Sequence, residues 1–394
     1  MPTDLYDIML SELEYRGAAY WDVYPRYYIA SIGGHLFNVH SLNRQVLFTA
    51  GIPYDTRIHL FLVTFPGFGK SFWLFQFLMS DVGLIGSTRI PTTFEGYMTE
   101  AGWVGTKKFA TQKAKSKEED MEDVNTIYGV ASEYATGIVG CEEFAALSNA
   151  MQQTYNRQFD TALLTSLDSG FVNKRLAAGS IKYKTSVTLW SGTQPARFDL
   201  AGGIGRRLTF MHLIPTDEDI EIMRRARRSG FGKRLNTAKT DAIRSHIDKR
   251  KDEVSVITDV KMTKSIYDEI DKYKMMPFEE PIYERIALGY SIMKGNFNGL
   301  LEIKMDKDLA AMFKQEYIWR LEIKKGSEQS QILGYIRSCK DMSIGIGELR
   351  SYLYNLGYGI EEGEKVIGGL SRLKGITIDD EGVVRIPHNK RSVE

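Results

Sequence analysis

The sequence predicts an α/β fold: a P-loop core, then a helical region, then a carboxy-terminal winged-helix module. Three observations carry that prediction. The stretch IHLFLVTFPGFGKSFWLFQFL, from Ile58 to Leu78, reads as an apolar strand, a tight loop ending in Gly69-Lys70-Ser71, and a helix. From Arg57 to about Pro215, short apolar runs alternate with helical segments, as in an α/β layer. After Ser330 the order helix, helix, helix, hairpin is that of a winged helix, with a turn at Asp380-Glu381-Gly382.

Bulk properties bound the answer. A chain of 394 residues holds two or three domains, each able to bury a core. The expected divisions are a helical segment over 1–45, the α/β core over 46–216, a helical region over 217–325 and the winged helix over 326–394. A hydrophobic content of 43% with 26% charged residues is that of a globular protein. Apolar runs are interrupted by Gly, Lys or Arg, so no membrane partner is expected. The acidic, amphipathic start MPTDLYDIMLSELEYR is unlike a signal peptide. Cys141 and Cys339 lie far apart without metal-ligand spacing. Together these point to an intracellular protein, cytoplasmic or nucleoid-associated.

Net charge is +1, so no nucleic-acid partner is declared globally, but charge is clustered. Arg224, Arg225, Arg227, Arg228, Lys233 and Arg234 form a basic run, which reads first as a solvated helix face and second as a nucleic-acid patch. Lys107 to Asp123 is Lys/Glu-rich and reads as an exposed loop or solvated helix.

The loop after the first strand carries the chemistry. Its backbone N–H groups and the following helix N-terminus favour an anion. Lys70 reaches the β- and γ-phosphates of ATP, the Ser71 hydroxyl ligates Mg²⁺, and Gly67 and Gly69 let the backbone approach. Pro66 and Phe72 complete the nucleotide-binding segment. Thr64 stands where the pattern G-x-x-x-x-G-K-[ST] has glycine. In TGIVGCEEFAAL an apolar strand delivers Glu142 and Glu143 to its carboxyl end, where α/β sheets bind ligands. Glu142 then supports the metal, and Glu143 polarises the attacking water. Taken alone, the pair is better explained as a Glu-Glu helix start with a favourable dipole interaction, and only the loop upstream turns the balance to the metal and water roles. In TSVTLWSGTQP the strand ends in Thr193 and Gln194, either of which suits a γ-phosphate sensor. In AGGIGRRLTF, Arg206, or else Arg207, suits an arginine finger acting on a neighbouring subunit.

With these residues in place, the chain resembles the AAA+ ATPase module of the minichromosome maintenance (MCM) replicative helicases and their virus- and plasmid-borne relatives. The resemblance runs from about Tyr28 to Pro215. TFPGFGKS is similar to the family's P-loop, TGIVGCEEFAAL to its Walker B strand, SGTQP to its sensor segment and GIGRRL to its arginine finger. The resemblance implies that Gln194 is the sensor and Arg206 the finger. It implies that LDSGFVNKRLAAGSIKYKTSVTL is a hairpin gripping DNA through Lys174, Arg175, Lys182 and Lys184. It makes 217–325 a lid, with Arg285 in EEPIYERIALGYSIM reaching the nucleotide. The family's large amino-terminal domain has no room in residues 1 to 45. The implied protein is a hexameric, ATP-dependent helicase on single-stranded or forked DNA, of a mobile element or virus. Other classes fit the same motifs: an origin-binding or loader-type ATPase switch, a nucleotide-binding structural DNA ring with little hydrolysis, and a DNA-packaging motor.

Overall fold

His59 to Thr64 is a run of six residues with no exposed position, and it forms β1 (His59–Thr64) at the interior of a parallel sheet. Strands buried on both faces take such continuous apolar runs. The other members are β2 (Thr92–Glu95), β3 (Ile138–Cys141), β4 (Thr188–Thr193) and β5 (Leu208–Leu213). Their spatial order is β5-β1-β4-β3-β2, and every neighbouring pair is parallel. Register aligns Val63 with Thr193, Ser191 with Cys141, and Cys141 with Glu95, so the carboxyl ends share one edge. The chain is thus α/β with a central parallel sheet. In this computed structural model the residues described are 4–18, 23–40, 47–49, 52–64, 68–96, 98–109, 124–142, 163–168, 170–176, 179–193, 207–213, 217–230, 235–295, 297–339, 341, 343–355, 359–372 and 376–386.

Helices α1 (Leu5–Leu13) and α2 (Val23–His40) precede the sheet, and α3 (Lys70–Leu78) follows β1. After β5 come α4 (Asp217–Gly230), α5 (Thr237–Val254), α6 (Glu280–Lys294) and α7 (Lys307–Ser338). The chain divides into compact units at Arg320/Leu321, within α7. The first unit therefore takes in the stretches 1–45, 46–216 and most of 217–325, rather than separating them. The reason lies in α2, where every residue from Tyr27 to Val39 is buried. Ser31 donates to Ile58 O at 2.6 Å and receives the Trp190 indole N–H at 2.8 Å, tying α2 to β1 and β4. Tyr28 stacks on Phe77 of α3 with ring centroids 5.2 Å apart.

Edge strand β5 is covered by α7. Arg320 donates to Leu208 O at 2.8 Å and to Glu316 at 2.6 Å, and Tyr283 of α6 donates to the other Glu316 oxygen at 2.7 Å. Covering an edge removes a template for intermolecular pairing. The expected all-helical region 217–325 also holds a parallel strand pair, Asp259–Met262 with Leu300–Ile303. Likewise Gly105–Phe109 pairs antiparallel with Val124–Tyr128, so the start of the Lys/Glu-rich stretch is a ribbon and not a helix. Among the described residues, no helix is long and apolar enough to cross a membrane.

The second unit orders its elements as the end of α7, a strand (Ser343–Gly345), helices Ile346–Asn355 and Ile360–Arg372, and strands Thr377–Ile378 and Val383–Arg385. The last strand lies between the other two in an antiparallel sheet. Gly382 turns the hairpin at φ 74°, where glycine meets no Cβ penalty. Leu349 and Leu353 pack with Ile367 and Leu370 in its core.

Candidate functional site

The loop after β1 delivers the chain into α3 through Gly69, whose φ of 92° is left-handed and suits glycine. Thr64, the departure from the P-loop pattern, is the last residue of β1 and is fully buried. It has no positive φ, so no glycine is required there. Helix α3 lies close to the sheet because two glycines leave room. A Cβ on Gly140 would stand 2.5 Å from Leu78 Cδ1, and one on Gly192 would stand 2.9 Å from Lys70 Cδ. Gly192 therefore lets the Lys70 stem lie against the carboxyl end of β4. Sequence reasoning missed Gly192, although its place two residues before Gln194 was visible.

Ser71, on the first turn of α3, donates its hydroxyl hydrogen bond to the Glu142 carboxylate. Glu142 follows β3 directly, and its backbone N–H donates to Glu95 O at 3.0 Å, extending the β2–β3 ladder by one residue. Two residues 71 positions apart are thus brought together at the carboxyl edge of the sheet. A hydroxyl and a carboxylate so placed are the oxygen donors a hard divalent cation takes. Among the described residues, no group of three or more His, Cys, Asp or Glu could enclose a metal. A cation here must complete its shell with water and ligand oxygens, the habit of Mg²⁺ at phosphate sites. The residues therefore fit Mg·ATP: a helix N-terminus, a lysine beside it, and one hydroxyl–carboxylate pair.

Two further hydroxyls distinguish this edge. Thr64 Oγ1 and Thr193 Oγ1 are buried at the ends of β1 and β4 and have no hydrogen-bond partner among the described residues. An unmade hydrogen bond of this kind costs about 1–3 kcal/mol. Between the two sensor candidates, Thr193 is thus described as a buried, unsatisfied hydroxyl. Gln194 lies outside the described residues, as do Pro66, Gly67, Glu143 and Arg206. Arg207, the alternative finger, donates to Asp168 at 2.7 Å.

Arg285 lies at the opposite end of β1 from Lys70. Its Nε donates to Asp55 O at 2.6 Å, four residues before β1 begins, and it is buried. That is the amino end of the strand whose carboxyl end leads to Lys70. Arg285 thus fastens α6 to the base of the sheet, away from Lys70 of the same chain. Periodicity placed the residue on a helix but could not say which end of the sheet that helix meets.

The basic hairpin forms between Phe171–Leu176 and Gly179–Lys184. Register pairs Asn173 with Lys182, Arg175 with Ser180 and Phe171 with Lys184. Arg175, Lys182 and Lys184 therefore share one face, and all three are exposed. Lys174 is on the opposite face, paired with buried Ile181. Tyr183, on that inner face, donates to Val104 O at 3.0 Å, which seats the hairpin beside the ribbon Gly105–Phe109. Arg224, Arg225, Arg227 and Arg228 are exposed on α4, as a solvated face requires.

Searches against protein families and curated proteins found no family model that matches this chain and no curated protein significantly similar to it.

Proposed function

We propose that this chain is an ATP-hydrolysing DNA translocase of the AAA+ type, similar in design to the MCM-like replicative helicases and acting as a ring of identical subunits. The observation that carries the reading is the Ser71 hydroxyl bonded to the Glu142 carboxylate at the carboxyl edge of a parallel sheet. The sheet order β5-β1-β4-β3-β2 supports it, because it brings the loop after β1, Thr193 of β4 and Glu142 after β3 to one carboxyl edge, where α/β sheets bind ligands. The likeness to such helicases is one of sequence motifs and fold class, and the chemistry rests on the site. In this reading Lys70 meets the β- and γ-phosphates, framed by Pro66, Gly67, Gly69 and Phe72. Ser71 and Glu142 hold Mg²⁺, which when bound neutralises charge on the phosphates. Glu143 orients the lytic water, Gln194 senses the γ-phosphate, and Arg206 reaches the neighbouring subunit. The three helices and three-stranded antiparallel sheet of the second unit support a winged helix.

The test is ATP turnover with and without single-stranded DNA, in wild type, Lys70→Ala and Glu143→Gln. Wild type should hydrolyse ATP faster with DNA, and each substitution should lower turnover by about a hundredfold or more, the scale of a lost general base. Turnover near background already in wild type, with ATP still bound to it, would make the chain a nucleotide switch or scaffold instead.

The hairpin supports DNA contact through its exposed basic face. Affinity for nucleic acid comes mainly from phosphate neutralisation, which releases counterions. Replacing Arg175, Lys182 and Lys184 together with Ala should weaken single-stranded DNA binding. It should also flatten the slope of log K against log salt by about 2, for three phosphates at ~0.7 each. Lys174→Ala should change that slope least. An unchanged slope in the triple variant removes the hairpin from the DNA path.

A further inference from the structure

A cavity of about 470 Å³ opens beside Gly69, between α3, α4 and the chain around Gly17. We propose that it receives the nucleoside end of the nucleotide, with a purine base against Phe68, Phe72 and Met223 and with Arg224 and Arg227 at its rim. This assignment rests on the reading of the loop at Lys70 as a triphosphate site, and it names which nucleotide that site takes.

Position is the first argument. Gly69 and Phe72 both line the cavity, and they flank Lys70 and Ser71 in the chain. A triphosphate held on the first turn of α3 thus has its nucleoside within reach of this cavity. Size is the second. Small-molecule pockets span roughly 300–1,000 Å³, and a purine nucleoside fits the lower half of that range. The lining is the third. Phe68, Phe72, Ile220 and Met223 offer apolar contact to a flat ring, and guanidinium groups stack on aromatic faces. Phe72 is held edge-on against Trp73, with ring centroids 5.1 Å apart, so its ring orientation is fixed before any ligand arrives. Trp73 itself is fully buried.

The remaining wall is scaffold. Arg16 lines the cavity but donates to Glu12 at 2.8 Å, Val82 O at 2.7 Å and Thr240 at 2.7 Å. The next residue, Gly17, has φ 89°, and a Cβ on it would stand 3.3 Å from Ala226 O. This left-handed turn lets α4 come close enough to close the cavity. Arg224 pairs with Glu221, while Arg227 makes no ion pair among the described residues. The basic run that the sequence offered as a solvated face thus has two members turned to a cavity beside the loop. The cavity joins segments around residues 16, 70 and 224, so a bound nucleoside ties α4 to the phosphate loop.

The experiment is calorimetric titration of the full chain with ATP, CTP and inorganic tripolyphosphate, in wild type, Lys70→Ala, Met223→Trp and Arg227→Ala. The indole of Met223→Trp fills the cavity. Wild type should bind ATP at least tenfold tighter than tripolyphosphate, with CTP between them. Met223→Trp should lower ATP affinity at least tenfold and leave tripolyphosphate unchanged, which also shows that the variant is folded. Arg227→Ala should lower ATP affinity several-fold, again sparing tripolyphosphate. ATP, but not tripolyphosphate, should slow tryptic cleavage within Arg224–Arg228. If ATP and tripolyphosphate bind equally, or Met223→Trp leaves ATP affinity unchanged, the cavity is not the nucleoside site and the phosphate loop stands. If neither ligand binds and Lys70→Ala changes nothing, the phosphate-loop reading fails and takes this assignment with it.

Discussion

Gly289→Val is expected to be among the most destabilising single substitutions in the first unit, lowering its stability by at least about 3 kcal/mol. Helices α2 and α6 cross with their backbones almost touching. A Cβ on Gly289 would stand 2.0 Å from Ala30 O, and one on Gly33 would stand 2.1 Å from Gly289 O. No rotamer relieves a clash between Cβ and a backbone oxygen, so the helices must separate. Overpacking a core ordinarily costs about 1–3 kcal/mol, with side chains absorbing much of the strain. Here separation would also disturb the Ser31 bond to Ile58 O, the Arg285 bond to Asp55, and the stacking of Tyr28 on Phe77. Against a typical total of about 5–15 kcal/mol, such a loss is large. The measurement is the urea midpoint of Gly289→Val and Gly289→Ala, with Gly96→Ala of the same unit as a control, because a Cβ there meets nothing within 4 Å. A midpoint for Gly289→Val equal to that of the control would mean that the two helices do not cross in contact.

That crossing shows where the sequence stops being readable. Four of the five sheet strands were legible because each is a short apolar run bounded by turn residues. Thr92–Glu95 escaped because four half-buried residues at a sheet edge carry no apolar run. The ribbon at Gly105–Phe109 was masked by the adjacent Lys107 and Lys108, which break any alternation of apolar and polar residues. The amino-terminal segment looked separable because nothing local says that His35, Ser31 and Asn38 are satisfied by Thr188, Ile58 and Asp55. The same division runs through the site. Lys70, Ser71 and Glu142 could be proposed from the sequence because each belongs to a contiguous strand–loop unit. The cavity beside Gly69 was not, since it is assembled from three distant segments. Its one sequence signal was the pair Phe68 and Phe72 flanking the Gly-Lys-Ser triplet. Arg285 is the converse case: its helix was legible, but the end of the sheet which that helix meets was not.

Acid should unfold the first unit well before general carboxylate protonation does, because two of its histidines are held neutral in the interior. His35, on α2, lies between Thr188 Oγ1 at 2.8 Å from Nδ1 and Thr136 O at 3.1 Å from Nε2. A carbonyl only accepts, so Nε2 carries the proton and Nδ1 accepts from the Thr188 hydroxyl. His59, at the start of β1, accepts the Leu189 N–H on Nδ1 at 3.1 Å and donates from Nε2 to Leu167 O at 2.8 Å. Protonating His59 puts a second N–H against the Leu189 N–H, and protonating His35 forces the Thr188 hydroxyl to turn from donor to acceptor. Burial, aided by His40 and Arg57, lowers the His35 pKa from 6.5 to about 3. Burial and the neighbouring Arg57, Arg285 and Arg207 hold His59 well below its ordinary value. In the unfolded chain both bind a proton near pH 6.5. The unfolded state therefore holds more protons below that pH, and stability falls as pH falls. For His35 the loss begins near 6.5 and continues to about 3, at about 1.4 kcal/mol per pH unit. His59 adds a slope of the same sign over the part of that window in which it stays neutral. The check is the urea midpoint between pH 7 and pH 4.5 for wild type, His35→Gln and the double variant with His59→Gln. A glutamine amide supplies one donor and one acceptor but does not titrate, so each substitution should remove its own share of the slope. Wild type and double variant losing stability in parallel would place the acid sensitivity elsewhere. The two rings grip the amino ends of β1 and β4, whose carboxyl ends carry Thr64 and Thr193 beside the loop. Protonation at one end of these strands should therefore loosen the frame on which Lys70 and Glu142 are placed, so nucleotide binding should weaken over the same pH window as the fold.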